Sequence, residues 1–139
     1  MTTASRRKIL CVDDEPSMLE MMQTIIEVSG YAYAAAANGP DALQKILDER
    51  PDLVILDYMM PGMSGAEVFR TLRNDPQYSR VRETPVLLLT AKSDNAEEQR
   101  QLLNEGIVGY LPKPFQFLYL LTIVDDVLKT AKVPDQMAS

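Results

Sequence analysis

Five side chains able to do chemistry stand at or just beyond the ends of short apolar runs. Asp13 and Asp14 follow "KILCV" (8–12), Asp57 ends the run from Leu53, Thr90 ends "TPVLLLT" (84–90), and Lys113 comes two residues after "IVGYL" (107–111). A carboxylate at the edge of an apolar strand is costly unless something pairs with it. Asp13, Asp14 and Asp57 alone make poor company, since like charges at close range raise one another's pKa. A hard divalent cation resolves the conflict: Mg²⁺, or Mn²⁺ in its place, takes oxygen ligands and keeps several waters. The Lys113 ammonium, a point charge on a long stem, suits a phosphate oxygen or a free carboxylate. Thr90 adds a hydroxyl donor, and the loop N–H groups after Asp57 and Thr90 add more. The set describes a phosphoryl site with Asp57 as covalent acceptor, a role open to carboxylates. Chemistry there is mostly positioning and charge neutralisation.

For these residues to meet, the apolar runs must be neighbouring strands. The runs alternate with amphipathic stretches, which predicts strands at 8–12, 31–37, 53–56, 84–90 and 107–111, and helices at 15–30, 40–49, 64–75, 94–106 and 114–131. Most of the strands read as continuous apolar runs, the pattern of a parallel sheet covered by helices on both faces. "YAYAAAA" (31–37) is ambiguous, because alanine favours helix, but Gly30 and "NGP" bound it too closely for one. The polar stretch 74–84 is read as connection alone. In such folds ligands sit beyond the carboxyl ends of the strands, where all five residues lie. The expectation is one α/β domain over 8–131, between tails at 1–7 and 132–139.

Composition removes other classes of function. The 139 residues carry a net charge of −6, which argues against a nucleic-acid surface. There is no histidine, so histidine-based triads and metal sites fall away. The single cysteine, Cys11, reads as a small core residue. No apolar run approaches the roughly 20 residues of a membrane span, and no signal peptide is evident, so a cytoplasmic location is expected.

Taken singly, each residue has a plainer reading. "DDE" is commonly a helix cap, Thr90 a strand end and Lys113 a surface lysine; only the conjunction is specific. "CVDDEPS", "LVILDYMMPGMSG", "VLLLTA" and "GYLPKPF" together resemble the motifs of the receiver domain of two-component response regulators. That resemblance implies a flavodoxin-like, doubly wound parallel sheet of order 2-1-3-4-5 with five helices. It also implies phosphoryl transfer from the phosphohistidine of a sensor histidine kinase or phosphotransfer protein. By motif position, Asp57 is similar to the phosphorylated aspartate, Asp13 and Asp14 to the acidic pair at Mg²⁺, and Met59 to the residue whose backbone carbonyl meets the metal. Thr90 is similar to the hydroxyl that reorients toward the phosphoryl group, Lys113 to the family's lysine, and Tyr110 to the aromatic that changes rotamer. The Lys113–Pro114 bond is expected to be cis.

Other positions are read against that pattern. Met18 and Met21 fall at the edge of the first helix, where the family docks its kinase. A helical wheel turns Phe117, Leu120, Leu121, Val124, Val127 and Leu128 toward the sheet and leaves Tyr119 and Ile123 outward. With Tyr110 they suggest a surface of the fourth helix, fifth strand and fifth helix for a downstream protein or a homodimer. Met59 and Lys92, flanking the site without an acid or amide, predict slow loss of the phosphoryl group. A signalling switch that catalyses only its own phosphorylation and dephosphorylation is favoured over two alternatives. A phosphohydrolase of the haloacid-dehalogenase type wants an acid where Met59 stands, and a pseudo-receiver does not need the acid pair, Thr90 and Lys113. A receiver belonging to a larger regulator with an output domain is equally compatible.

Overall fold

The computed structural model describes residues 6–91 and 95–132; Lys92 and the C-terminal tail lie outside them. Five parallel strands, β1 (Lys8–Val12), β2 (Ala32–Ala36), β3 (Leu53–Asp57), β4 (Val86–Thr90) and β5 (Gly109–Pro112), form one sheet of order β2-β1-β3-β4-β5. Between and after them run α1 (Pro16–Val28), α2 (Gly39–Glu49), α3 (Gly65–Asn74), α4 (Ala96–Glu105) and α5 (Phe117–Lys132). This is the flavodoxin-like order that the motifs imply.

Alternation along the inner strands builds two cores. Leu10, Val12, Val54, Leu56, Val86 and Leu88 face α2, α3 and Leu102 of α4. Ile9, Cys11, Leu53, Ile55, Leu87 and Leu89 face α1 and α5. Residues of β1, β3 and β4 are therefore buried whichever way they point, which is why those segments read as unbroken apolar runs. The alanine-rich segment is the edge strand β2, bonded only to β1. Pairing there satisfies a backbone that five residues of helix could not.

Three expectations are corrected. The stretch 74–84 is more than connection: it holds a 3₁₀ turn over Pro76–Tyr78, and Tyr78 and Val81 are buried in the core. On α5, Phe117 is not turned into the sheet but is 54% exposed at the first residue of the helix, where it borders the cavity beside α1. Ile123 is half-buried against the α1–α5 core rather than outward, since the helix face seated there is broader than the wheel allowed.

The start of α3 is fixed tightly. Ser64 accepts from the Glu67 N–H at 3.2 Å and donates its own N–H to the Glu67 carboxylate at 2.9 Å, a reciprocal capping box. Gly65 then donates its N–H to the Tyr58 carbonyl at 2.8 Å. A Cβ on Gly65 would lie 2.5 Å from the Asp57 carbonyl oxygen, so only glycine lets α3 begin this close to β3. Gly65→Ala is expected to lower stability by about 1–3 kcal/mol. Gly109→Ala, whose Cβ would meet only Leu87 at 3.9 Å, serves as control. Urea unfolding decides it; equal midpoints for the two variants would refute the packing argument.

Candidate functional site

The register of the sheet assembles the site. Val12 pairs with Leu56, so Asp13 falls beside Asp57; Asp57 pairs with Leu89, and Thr90 with Pro112, which precedes Lys113. The Lys113 N–H donates to the Thr90 carbonyl at 2.7 Å, joining the last two strand ends. From there the Lys113 side chain reaches past β4. Its Nζ lies 3.2 Å from Asp57 Oδ1 and 3.3 Å from Asp13 Oδ2.

Asp13 and Asp57 are buried, at 2% and 5% exposure, while Asp14 is open to solvent. One carboxylate oxygen from each of Asp13, Asp14 and Asp57 lies within 4.8 Å of the others. An all-oxygen donor set of this size fits a hard divalent cation. Asp13, not Asp14, braces the chain entering α1: its Oδ1 accepts the Glu15 N–H at 2.9 Å. A cleft of about 290 Å³ opens over the group, walled by Asp14, Glu15, Asp57, Met59, Ala91 and Lys113.

The charges are strongly coupled. Burial first, and then the Asp13 carboxylate, push the Asp57 carboxyl up from 3.8 to about 6, against the pull of Lys113 and the Met59 N–H. Burial works to lower the Lys113 pKa, but Asp57 and Asp13 more than offset it and leave it raised. Desolvation likewise drives the Cys11 thiol far up, so it is inert core.

The remaining sequence-derived residues divide into groups. Thr90 is buried at the strand end, and its neighbour Ala91 supplies the cleft wall. Met59 is 63% exposed at that wall. Tyr110 is 37% exposed on β5, Tyr119 is exposed on α5, and the Lys113–Pro114 bond is cis. Met18 is half-buried against the α1–α5 core, while Met21 is exposed. Met21 borders an apolar cavity of about 740 Å³ between α1 and the start of α5, with Val28, Phe117 and Leu118. Lys92 lies outside the described residues. Sequence reasoning placed Glu15 just after the first strand but gave it no role, and it missed Ala91 as a wall and Tyr58, whose hydroxyl donates to Glu98 on α4. A polar-tipped aromatic directly after Asp57 was the available signal for Tyr58.

The raised Asp57 pKa carries a consequence for stability. In the unfolded chain this carboxyl ionises near 3.8 and in the folded metal-free protein near 6. Below the lower value both states are protonated and nothing is lost; above the upper one folding must bear a buried charge. The Asp57 contribution to metal-free stability therefore falls between about pH 4 and 6, by roughly 3 kcal/mol at most. Asp57→Asn is expected to remove that fall, matching the parent near pH 4 and exceeding it above pH 6. Urea midpoints in chelator at pH 4 and 7.5 measure it, and a variant no more stable than its parent at pH 7.5 would contradict it.

Comparison with known proteins agrees with the fold and the motifs. Residues 9–125 match the response regulator receiver domain. The chain is 36% identical over 132 residues to response regulator MprA of Mycobacterium ulcerans, covering 95% of this chain and 54% of that protein. It is 40% identical over 111 residues to DNA-binding response regulator MtrA of Mycolicibacterium smegmatis, covering 80% and 46%. It thus spans about half the length of these relatives. Among solved structures, chemotaxis protein CheY4 of Vibrio cholerae superposes with a TM-score of 0.77 at 33% identity, covering 88% of this chain and 99% of that one. With the sheet order, the four motifs and this match over most of its length, the chain belongs to the response regulator receiver domain family.

Proposed function

We propose that this receiver is a phosphorylation switch: Asp57 takes a phosphoryl group from the phosphohistidine of a sensor histidine kinase or phosphotransfer protein. The observation that carries the reading is the pair of buried carboxylates, Asp13 and Asp57, sharing one ammonium at 3.3 and 3.2 Å in an open cleft. Asp13, Asp14 and Asp57, with the Met59 carbonyl, would hold Mg²⁺ or Mn²⁺. The bound ion would supply charge neutralisation for an incoming phosphoryl group. An Asp57 oxygen forms the bond to phosphorus as the donor's nitrogen–phosphorus bond breaks, the electron pair leaving with the imidazole. Lys113 lies against Oδ1 of Asp57 and faces the negative charge that arrives there. Thr90, at the adjoining strand end, is placed to turn its hydroxyl toward the new group, and Tyr110 to change rotamer in response.

The reading makes the domain a switch and not a turnover enzyme. Two residues beyond Asp57 a phosphohydrolase would need an acid, and Met59 presents an exposed thioether there. The same side chain offers no group to orient an attacking water, which favours a long-lived acyl phosphate. The apolar cavity bordered by Met21, Phe117 and Leu118 suits the apolar face of a kinase helix. Tyr110 and Tyr119, exposed on β5 and α5, suit a downstream protein or a second receiver.

Incubation with acetyl phosphate and Mg²⁺ is expected to add one base-labile phosphoryl group per chain, absent in Asp57→Asn. No adduct would favour a binding module, and rapid multiple turnover a phosphohydrolase. In the same assay Met59→Asn should shorten the adduct's lifetime several-fold; an unchanged lifetime would remove Met59 from that role. For docking, Met21→Asp and Phe117→Asp should cut phosphotransfer from the cognate kinase at least tenfold while labelling by acetyl phosphate stays intact. Transfer at the parental rate would place the kinase elsewhere.

A further inference from the structure

Helix α4 is held by unusually little apolar contact. Its sequence, "AEEQRQLLNE", buries only Gln99 and Leu102, and Leu103 is exposed. The polar contacts that seat it converge on two residues outside the helix. The Tyr58 hydroxyl donates to Glu98 Oε1 in the first turn of α4. The other oxygen of that carboxylate accepts from Arg70 Nη1 of α3 at 2.9 Å. Arg70 then reaches the far end of α4, where its Nε and Nη2 donate to the two Glu105 oxygens, both at 3.0 Å. Glu98 and Glu105 are seven residues apart, two helical turns, and so share one face. A phenol and a guanidinium thus grip both ends of α4.

Half-exposed ion pairs are worth little one at a time, and Arg70 and Glu105 are of that kind, at 33% and 40% side-chain exposure. Two features set this group apart. The Arg70–Glu105 pair is bidentate, the geometry that gives such pairs direction. Tyr58 is 7% exposed and its backbone is bound on both sides, its N–H to the Leu89 carbonyl at 2.9 Å and its carbonyl to the Gly65 N–H at 2.8 Å. Its backbone is therefore held beside Asp57, the residue before it, and its ring is packed in the core. The hydrogen bonds from Tyr58 and then Arg70 hold the Glu98 carboxyl below its usual range, so the grip acts on an ionised acceptor, where such bonds are strongest.

We propose that Tyr58 is a positioning residue: through Glu98 and Arg70 it latches α4 to the segment carrying Asp57, and the latch must yield when the site is phosphorylated. The proposal rests on the phosphorylation reading, and it adds a route of communication separate from Thr90 and Tyr110. A latch that favours the resting seat of α4 lowers apparent affinity for any ligand of the other arrangement by the fraction of molecules it holds back.

The test compares the parent with Tyr58→Phe and Glu98→Gln, which keep shape and packing, and with the double variant. Hydrogen exchange in Mg²⁺ should show α4 amides opening about tenfold faster in each single variant, a loss typical of a hydrogen bond to a charged group. Amides of α1 and α2 should be unchanged. Binding of beryllofluoride with Mg²⁺ should tighten by about fivefold to tenfold, and the double variant should gain no more than either single one. Exchange that quickens equally throughout the domain, or beryllofluoride affinity equal to the parent's, overturns the latch. If the parent itself fails to bind beryllofluoride, the phosphorylation reading fails. The latch is then judged on exchange alone, standing if the acceleration is confined to α4 and falling otherwise.

Discussion

Everything at the carboxyl edge of this sheet depends on one ammonium lying between two buried carboxylates. Lys113 meets Asp57 and Asp13 at 3.2 and 3.3 Å, and without it two like charges would face each other at the end of an apolar sheet. The compensation is incomplete. Asp13, Asp14 and Asp57 carry three negative charges when ionised, and Lys113 returns one, which leaves two uncompensated. That deficit matches the charge of one divalent cation, and burial, with the Asp13 carboxylate second, already leaves Asp57 with a raised pKa in the metal-free protein. The site is thus arranged against its own stability in a way that a cation would relieve, the usual relation between functional clusters and perturbed pKa values.

The sheet makes this arrangement possible because parallel register turns sequence position into neighbourhood. Once Val12 lies beside Leu56 and Leu89 beside Asp57, the acid pair, Asp57 and the Thr90 hydroxyl are adjacent without any loop having to place them. Only Lys113 must travel, and a four-carbon stem spans the intervening strand. Gly65 completes the geometry from below: α3 starts against the Asp57 carbonyl, so the loop after Asp57 is braced by a capped helix.

Most of this was legible in the residues. Strands buried on both faces announce themselves as unbroken apolar runs, and a charge ending such a run asks for a partner, so Asp57, Asp13 and Lys113 could be joined before any coordinates. What stayed hidden depended on position along an axis, which periodicity does not encode. Phe117 has the right angle on the wheel but stands at the first residue of α5, and it is exposed. Ile123 has the wrong angle but meets a broad helix face and packs. The buried Tyr78 and Val81 were invisible for a related reason: two anchors in a polar connection form no pattern. Tyr58 was hidden because its partner, Glu98, lies 40 residues away.

Two tyrosines flank the site, and their surroundings set different limits on what each can transmit. Tyr110 is 37% exposed on the short strand β5, so its ring meets solvent on one side. Tyr58 is bound through its own N–H and carbonyl and is packed in the core; moving its ring would disturb the sheet edge and the start of α3 together. A residue so held communicates by gaining or losing the bond at its tip, and not by swinging. In the proposed switch, Tyr110 would register the change at the Thr90–Lys113 edge as a rotation. Tyr58 would register it as the loss of one hydrogen bond to a helix that has few other attachments. The scarcity of apolar contacts on α4 gives that single bond its leverage: with only Leu102 among its apolar side chains buried, the helix follows the polar contacts that hold it.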